Sequence, residues 1–164
     1  MELIDVFDEN LNLKRTQIRD DLSIKQGDFV KVVHIFIENN NKKFLIQKRS
    51  ANKKIKPNKF DITTGTLKHG ENPLECAKRE VFEELSIKAD KKDFKFLGCV
   101  KAHLSFLYLY YLKKDFDVKN LKFQKEEVSL IEMLDEKNFL TFIEKIQKNN
   151  KEYINKVKMM LKER

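Results

Sequence analysis

The chain has 164 residues, 41% hydrophobic and 37% charged, with a formal net charge of +8. That length suits one domain with a proper core and is short for two; the longest apolar stretch, around Leu104–Leu112, is about half of the ~18 residues that a membrane helix needs. The lysines are scattered among asparagines and glutamates rather than gathered in a basic run or interleaved with aromatics, which argues against nucleic acid as the main ligand but leaves a surface that attracts phosphorylated small molecules.

Taken in order, Leu3-Ile-Asp-Val-Phe7 reads as a short strand, and residues 11–18 return to close an N-terminal hairpin region spanning 1–28. Arg19, Asp20 and Asp21 lead into a turn at Gly27-Asp28. Val30 to Ile37 is rich in β-branched residues and predicts a buried strand; Asn39-Asn40-Asn41 is a hairpin loop, and Phe44 to Arg49 is the returning strand. Residues 50–59, with Pro57 and four lysines, form a loop, and Phe60 to Thr63 a short strand that delivers the chain to Gly65. Asn72 is a good N-cap and Pro73 suits the first position of a helix, along which Leu74, Ala77, Val81 and Leu85 recur at helical spacing. Strands over Phe94–Val100 and Leu104–Leu112 follow, then an extended course through Leu121–Val128 and Ser129–Leu134. Asp135 caps a helix over 136–147, Asn149-Asn150 breaks it, and a basic helix covers 151–162, so that helices occupy 135–164. Strands on either side of one central helix predict a single α+β or three-layer α/β/α domain over 1–164, with a mixed sheet.

The central helix carries the chemistry. Glu80, Glu83 and Glu84 stand at i, i+3 and i+4, so like charges crowd one face at a cost of a few tenths of a kcal/mol per pair unless a cation joins them. Hard cations such as magnesium take one or two carboxylates and fill the remaining positions with waters and phosphate oxygens. An ordinary solvated acidic face is the competing reading of the triplet alone. The spacing around it is what weighs against that reading: Gly65, five residues, Glu71, seven residues, Arg79-Glu80-Val81, then Glu83-Glu84 and Ile87. At average residue usage, six such identities arise by chance roughly once in ten million start positions.

The spacing resembles the Nudix box over residues 65–87, G-x5-E-x7-R-E-U-x-E-E-x-G-U with U aliphatic, except that Ser86 stands where the pattern has glycine. That position follows the helix end, where left-handed backbone is common, and a non-glycine there costs about 1–2 kcal/mol. Leu3–Asn10, Val33-His34-Ile-Phe-Ile, Leu45–Ser50 and Gln124-x-x-Glu127-Val128 also resemble the branch containing isopentenyl-diphosphate isomerase and its hydrolase-like relatives, so the likeness covers about residues 3–140.

The resemblance implies a Nudix fold, a catalytic loop-helix and hydrolysis of a nucleoside diphosphate linked to another moiety, with magnesium or manganese. On this reading Glu80 and Glu84 are the principal metal ligands, Glu83 shares metals or orders water, and the carbonyl of Gly65 completes the shell. Glu71 and Arg79 orient those glutamates; the bland reading of Arg79 is an i,i+4 ion pair with Glu83. The general base is Glu80, Glu126 or Glu127, with the match to Gln124-x-x-Glu127 favouring Glu127. Lys48 and Arg49 follow an apolar strand and are candidates to meet phosphates. His34 and His103 read first as structural residues, and Tyr108, Tyr110 and Tyr111 as core or strand face.

Two other activities compete. Isomerases of this branch carry a reactive cysteine in the strand before the box, whereas Phe60-Asp-Ile-Thr-Thr-Gly65 has none, and Cys76 and Cys99 are elsewhere. A non-catalytic nucleotide-binding module would have no need of all three glutamates. With no signal-like segment after Met1, and with two cysteines that form neither a metal-type pair nor a disulfide framework, a cytoplasmic protein is expected. A homodimer is left open, since Nudix relatives are often dimers.

Overall fold

The computed structural model describes residues 1–20 and 23–164; Asp21 and Leu22, in the run toward the Gly27 turn, lie outside them. The strands are β1 (Leu3–Phe7), β2 (Leu13–Ile18), β3 (Val30–Glu38), β4 (Phe44–Arg49), β5 (Phe60–Asp61), β6 (Thr63–Thr66), β7 (Phe94–Lys101), β8 (Ser105–Lys113) and β9 (Val128–Leu134), and the helices are α1 (Pro73–Leu85), α2 (Glu136–Ile146) and α3 (Lys151–Glu163). β1 and β2 make a separate two-stranded sheet; the other seven strands form a mixed sheet in the order β5-β4-β3-β8-β7, with β6 added to β3 and β9 to β4.

β3 organises this sheet, and its composition says why. It runs parallel to β8 from Val30 opposite Ser105 to Glu38 opposite Lys113, and it is apolar on both sides. Side chains alternate across a strand, so Val33, Ile35 and Ile37 face α1 and pack with Cys76, Ala77, Val81 and Leu85. Phe36 faces the other way, against Phe139 and Ile143 of α2 and Tyr153, Val157 and Met160 of α3. The result is a three-layer α/β/α sandwich. Phe44 and Phe139 stack at 4.2 Å between ring centroids, seating α2 on the sheet.

The caps expected at Asn72 and Asp135 form, and Asn150, read from sequence only as a break between helices, caps α3; each accepts a hydrogen bond from a backbone N–H of the first helical turn. Ser86 takes the left-handed conformation at φ 56°, and its hydroxyl donates to the carbonyl of Lys122 at 2.6 Å. A hydrogen bond contributes about 1 kcal/mol net, which offsets much of the strain.

Two expectations are revised. The strand over Phe60–Thr63 is broken at Ile62: β5 pairs with β4, whereas β6 pairs with β3 and carries Gly65 within it rather than in a loop. Residues 121–127 are irregular, so Glu127 sits on the turn leading into β9. Both follow from one feature. β3 and β4 are paired only where Glu38 faces Phe44, at the base of their hairpin. Beyond it β3 takes β6 while β4 takes β5 and β9, and the sheet parts.

The β1–β2 sheet is latched beside this parting. Ile4 and Val6 are buried, Phe7 and Phe29 exchange backbone hydrogen bonds, and buried Asp28 accepts from Lys14 at 2.5 Å and Arg15 at 2.7 Å. No helix among the described residues is long and apolar enough to cross a membrane.

At the far end of β3, Glu38 is 1% exposed; both its oxygens lie 3.0 Å from Nε of Arg164, and it also accepts from the Tyr111 hydroxyl. Removing one partner of such a buried pair costs about 3–5 kcal/mol. Arg164→Ala is therefore expected to lower unfolding free energy by about that amount in urea titrations, whereas a loss under ~0.5 kcal/mol, typical of surface substitutions, would show that the Tyr111 contact suffices.

On the α3 side, Nδ1 of His34 lies 2.8 Å from the hydroxyl of Tyr153. Burial pushes the imidazole down to about 4, with Asp61 opposing and Lys56 assisting. The unfolded chain thus binds this proton more readily, so stability from the neutral ring is present above about pH 6.5 and lost as pH falls toward 4. It amounts to about 3 kcal/mol. Comparing the acid limb of unfolding curves for the wild type and His34→Gln is expected to show this difference in slope.

Candidate active site

Where the sheet parts, a cleft of about 430 Å³ opens. Its walls come from β3 (Val32, His34), β6 (Thr64, Gly65, Thr66), α1 (Arg79, Glu80, Glu83, Glu84) and the loop after β4 (Lys53, Ile55, Lys56), with Arg49, Glu127 and Asp61 also lining it. Glu2 and Arg19, which flank β1 and β2, also line it and are paired at 3.2 Å.

The acidic face of α1 turns inward. Glu80 and Glu84 are 8% and 7% exposed, whereas the side chain of Glu83 is 45% exposed. Gly65 explains how Glu80 fits: a Cβ on Gly65 would lie 2.1 Å from Cγ of Glu80. Glycine is required there by close approach.

Arg79 is the clamp of this region. Its Nε and Nη2 donate to the two oxygens of Glu71 at 2.7 and 2.9 Å, and Nη1 donates to Glu80 at 2.7 Å and Glu83 at 3.1 Å. Glu71 also accepts from the backbone N–H of Lys68 at 3.0 Å, tying the loop after β6 to the helix. Burial pushes the Glu71 carboxyl up, but Arg79 and that N–H hold it below the usual range. For Glu80, burial outweighs Arg79, and the carboxyl is raised.

Glu84 is the more perturbed. Burial pushes it up to about 8, with the charges of Glu80 and Glu127 adding to the effect and Gln47 and Lys53 opposing it. Gln47 Nε2 donates to Glu84 at 2.6 Å, and the Gln47 carbonyl accepts from Thr63 at 3.0 Å, which fixes the orientation of the amide. Gln47 and Thr63 are members of the site that motif reasoning does not select. The alternation of β4, which turns Leu45 and Gln47 toward α1, is the signal that finds Gln47.

Glu127 lines the cleft and is ion-paired with Lys53, while its backbone carbonyl accepts from Ser50 N at 2.9 Å. Glu126 is exposed and lies outside the lining. Arg49 lines the cleft and donates from Nε to the carbonyl of Ile55 at 3.0 Å, but Lys48 does not line it, since strand alternation turns it to the other face. His103 is exposed, and Tyr110 and Tyr111 are core residues.

Among the described residues no three His, Cys, Asp or Glu side chains are arranged so that together they could hold a metal ion. The donor set nonetheless fits a hard divalent cation, which needs only one or two carboxylates beside water and phosphate oxygens. Two buried carboxylates one turn apart on one helix face are held above their usual range by burial, and a bound cation would favour their charged forms.

Residues 28–157 match the family model for the NUDIX domain. An uncharacterised Nudix hydrolase of Listeria innocua is 34% identical over 131 residues, covering 79% of this chain and 77% of that protein. A Nudix hydrolase of Deinococcus radiodurans is 28% identical over 119 residues, covering 70% of this chain and 69% of its own. Among solved structures, a crystal structure of a Deinococcus radiodurans protein matches with a TM-score of 0.74 at 26% identity, covering 87% of this chain and 88% of that one. The MutT protein of Methanosarcina mazei matches at 0.58 and 19% identity, covering 82% and 96%, a likeness of fold alone.

Gly65→Ala is expected to destabilise the chain by about 1–3 kcal/mol through overpacking against Glu80, read as a lowered urea midpoint at unchanged slope. An unchanged midpoint would mean that Glu80 has room to swing aside.

Proposed function

This chain belongs to the Nudix family, a family of hydrolases of phosphoanhydrides, and we propose that it cleaves the pyrophosphate bond of a nucleoside diphosphate linked to a second moiety. The observation that carries this reading is the pair of buried, cleft-facing carboxylates Glu80 and Glu84, wrapped by the Arg79–Glu71 clamp. We take residues 1–164 as one catalytic unit, with the box over 65–87 at its centre.

Glu80 and Glu84, assisted by Glu83 and the carbonyl of Gly65, hold magnesium or manganese in this proposal. When bound, such an ion polarises phosphoryl oxygens and lowers the pKa of a water. Arg79 keeps the glutamates aligned through its contacts with Glu71, Glu80 and Glu83. Arg49, together with Lys53 and Lys56 from the neighbouring loop, meets the substrate phosphates at the cleft wall; Lys48, turned away, has no part in this. Glu127 is the general base that accepts the proton of the attacking water: of the two candidates near β9, it alone faces the cleft.

A panel of nucleoside diphosphate sugars, ADP-ribose, dinucleoside polyphosphates, NADH and nucleoside triphosphates, incubated with magnesium, tests the reading through nucleotide or phosphate release. Hydrolysis of at least one is expected. Glu84→Gln is expected to lower its rate by at least about a hundredfold, since metal-borne stabilisation is worth several kcal/mol. Turnover that survives the substitution overturns the metal assignment, and ligand binding without turnover of any compound favours a binding module.

A further inference from the structure

Away from the acidic helix, two buried polar side chains among the described residues line the cleft and are left unused by the proposed hydrolysis. His34, on β3, lines it with only 9% of its surface exposed, and Asp61, at the end of β5, lines it beside a break in the strand. Neither is a surface charge, and each is held by a specific contact.

His34 is held from α3. Tyr153 is wholly buried, its ring stands edge-on to the imidazole, and among the described residues its hydroxyl bonds to Nδ1 of His34 alone. Were the imidazole proton on Nδ1, the phenol hydrogen would face no acceptor, at the cost of an unsatisfied buried donor. The phenol therefore donates to Nδ1, and the proton of the neutral ring resides on Nε2, the nitrogen left for the cleft. Burial keeps the ring neutral at physiological pH, with Asp61 and Lys56 acting in opposite senses upon it. Asp61 spends Oδ1 on the N–H of Ile62 at 2.9 Å, and Oδ2 lies 3.6 Å from Nζ of Lys56; its four lone-pair sites are not filled by these.

We propose that His34 and Asp61 form a hydroxyl-binding subsite, in which Nε2–H donates to, and Asp61 accepts from, a sugar hydroxyl on the moiety attached to the diphosphate. Tyr153 is the positioning residue that fixes the tautomer. A hydroxyl is both acceptor and donor, so it suits a donor and an acceptor that line one cleft; a moiety without one leaves both unpaired, which is how polar sites reject analogues. Val32 and Leu107 supply an apolar wall for the carbon face of such a ring. The subsite rests on the reading of the cleft as that of a phosphoanhydride hydrolase.

The test is nitrogen-15 spectroscopy of the histidine side chains in the full chain, with calcium in place of magnesium to restrain turnover, and with ADP-ribose and inorganic pyrophosphate as probes. The expected result is an Nε2-protonated His34 whose Nε2 resonance moves with ADP-ribose and stays put with pyrophosphate. In Tyr153→Phe the two tautomers mix, and ADP-ribose binding weakens about fivefold, the worth of one hydrogen bond, with pyrophosphate binding within about twofold of the wild type. An Nδ1-protonated ring, an Nε2 resonance indifferent to millimolar ADP-ribose, or equal weakening of both probes overturns the subsite. Hydrolysis of ADP-ribose in magnesium is measured separately. A shifted Nε2 without hydrolysis keeps the subsite and removes the activity; hydrolysis with an indifferent Nε2 does the reverse.

Discussion

Everything about the site follows from taking two carboxylates out of water on one face of α1. Burial raises both Glu80 and Glu84, the latter to about 8, and a group so perturbed is poorly placed to be merely structural. One guanidinium cannot compensate them both. Arg79 is shared among Glu71, Glu80 and Glu83, while Glu84 leans on the neutral amide of Gln47. The arrangement is organised but short of positive charge, which is the condition in which a divalent cation binds with most effect.

That burial is possible because the sheet comes apart. If β3 and β4 stayed paired along their length, the space facing α1 would be filled by core side chains, and the helix would bury apolar residues there. Instead β3 turns to β6 and β4 to β5 and β9. The two partner strands bring Gly65 against Glu80 and Asp61 into the same cleft. The layers on either side keep the opening rigid: α1 packs on one face through Ala77, Val81 and Leu85, α2 and α3 on the other through Phe139, Tyr153 and Val157.

The helices, their caps and most strands were legible because each carries a local signal: period, cap residue or β-branched run. The acidic triplet was legible too, through spacing. What the sequence left hidden is long-range. Gly65 looked like a loop residue, but its role is set by the distance to Glu80, fifteen positions later. Glu127 could not be told from Glu126 until the turn before β9 faced it into the cleft. Lys48 and Arg49 are adjacent and equally cationic, and only the pleat of β4 separates them. Lys53 carries no motif at all, being one lysine among several in a loop, and its pairing with Glu127 depends on how residues 74 positions apart meet. His34 read as structural, and its bond to Tyr153 agrees with that; its place on the cleft wall arises from the parted sheet.

Net charge completes the picture from another direction. The chain is strongly basic, yet among the described residues the formal charges lining the cleft match in number: six cationic side chains, Arg19, Arg49, Lys53, Lys56, Lys68 and Arg79, and six acidic ones, Glu2, Asp61, Glu80, Glu83, Glu84 and Glu127. A basic exterior draws in polyanions over a Debye length of about 8–10 Å, but such a ligand gains little net Coulomb energy once inside. Selectivity is then left to directional contacts and to whatever neutralises the buried glutamates. A phosphoanhydride that arrives with a divalent cation meets both conditions at once, the cation answering Glu80 and Glu84 and the phosphates answering Arg49 and Lys53. A bare polyanion such as nucleic acid would set its phosphates against the same glutamates uncompensated.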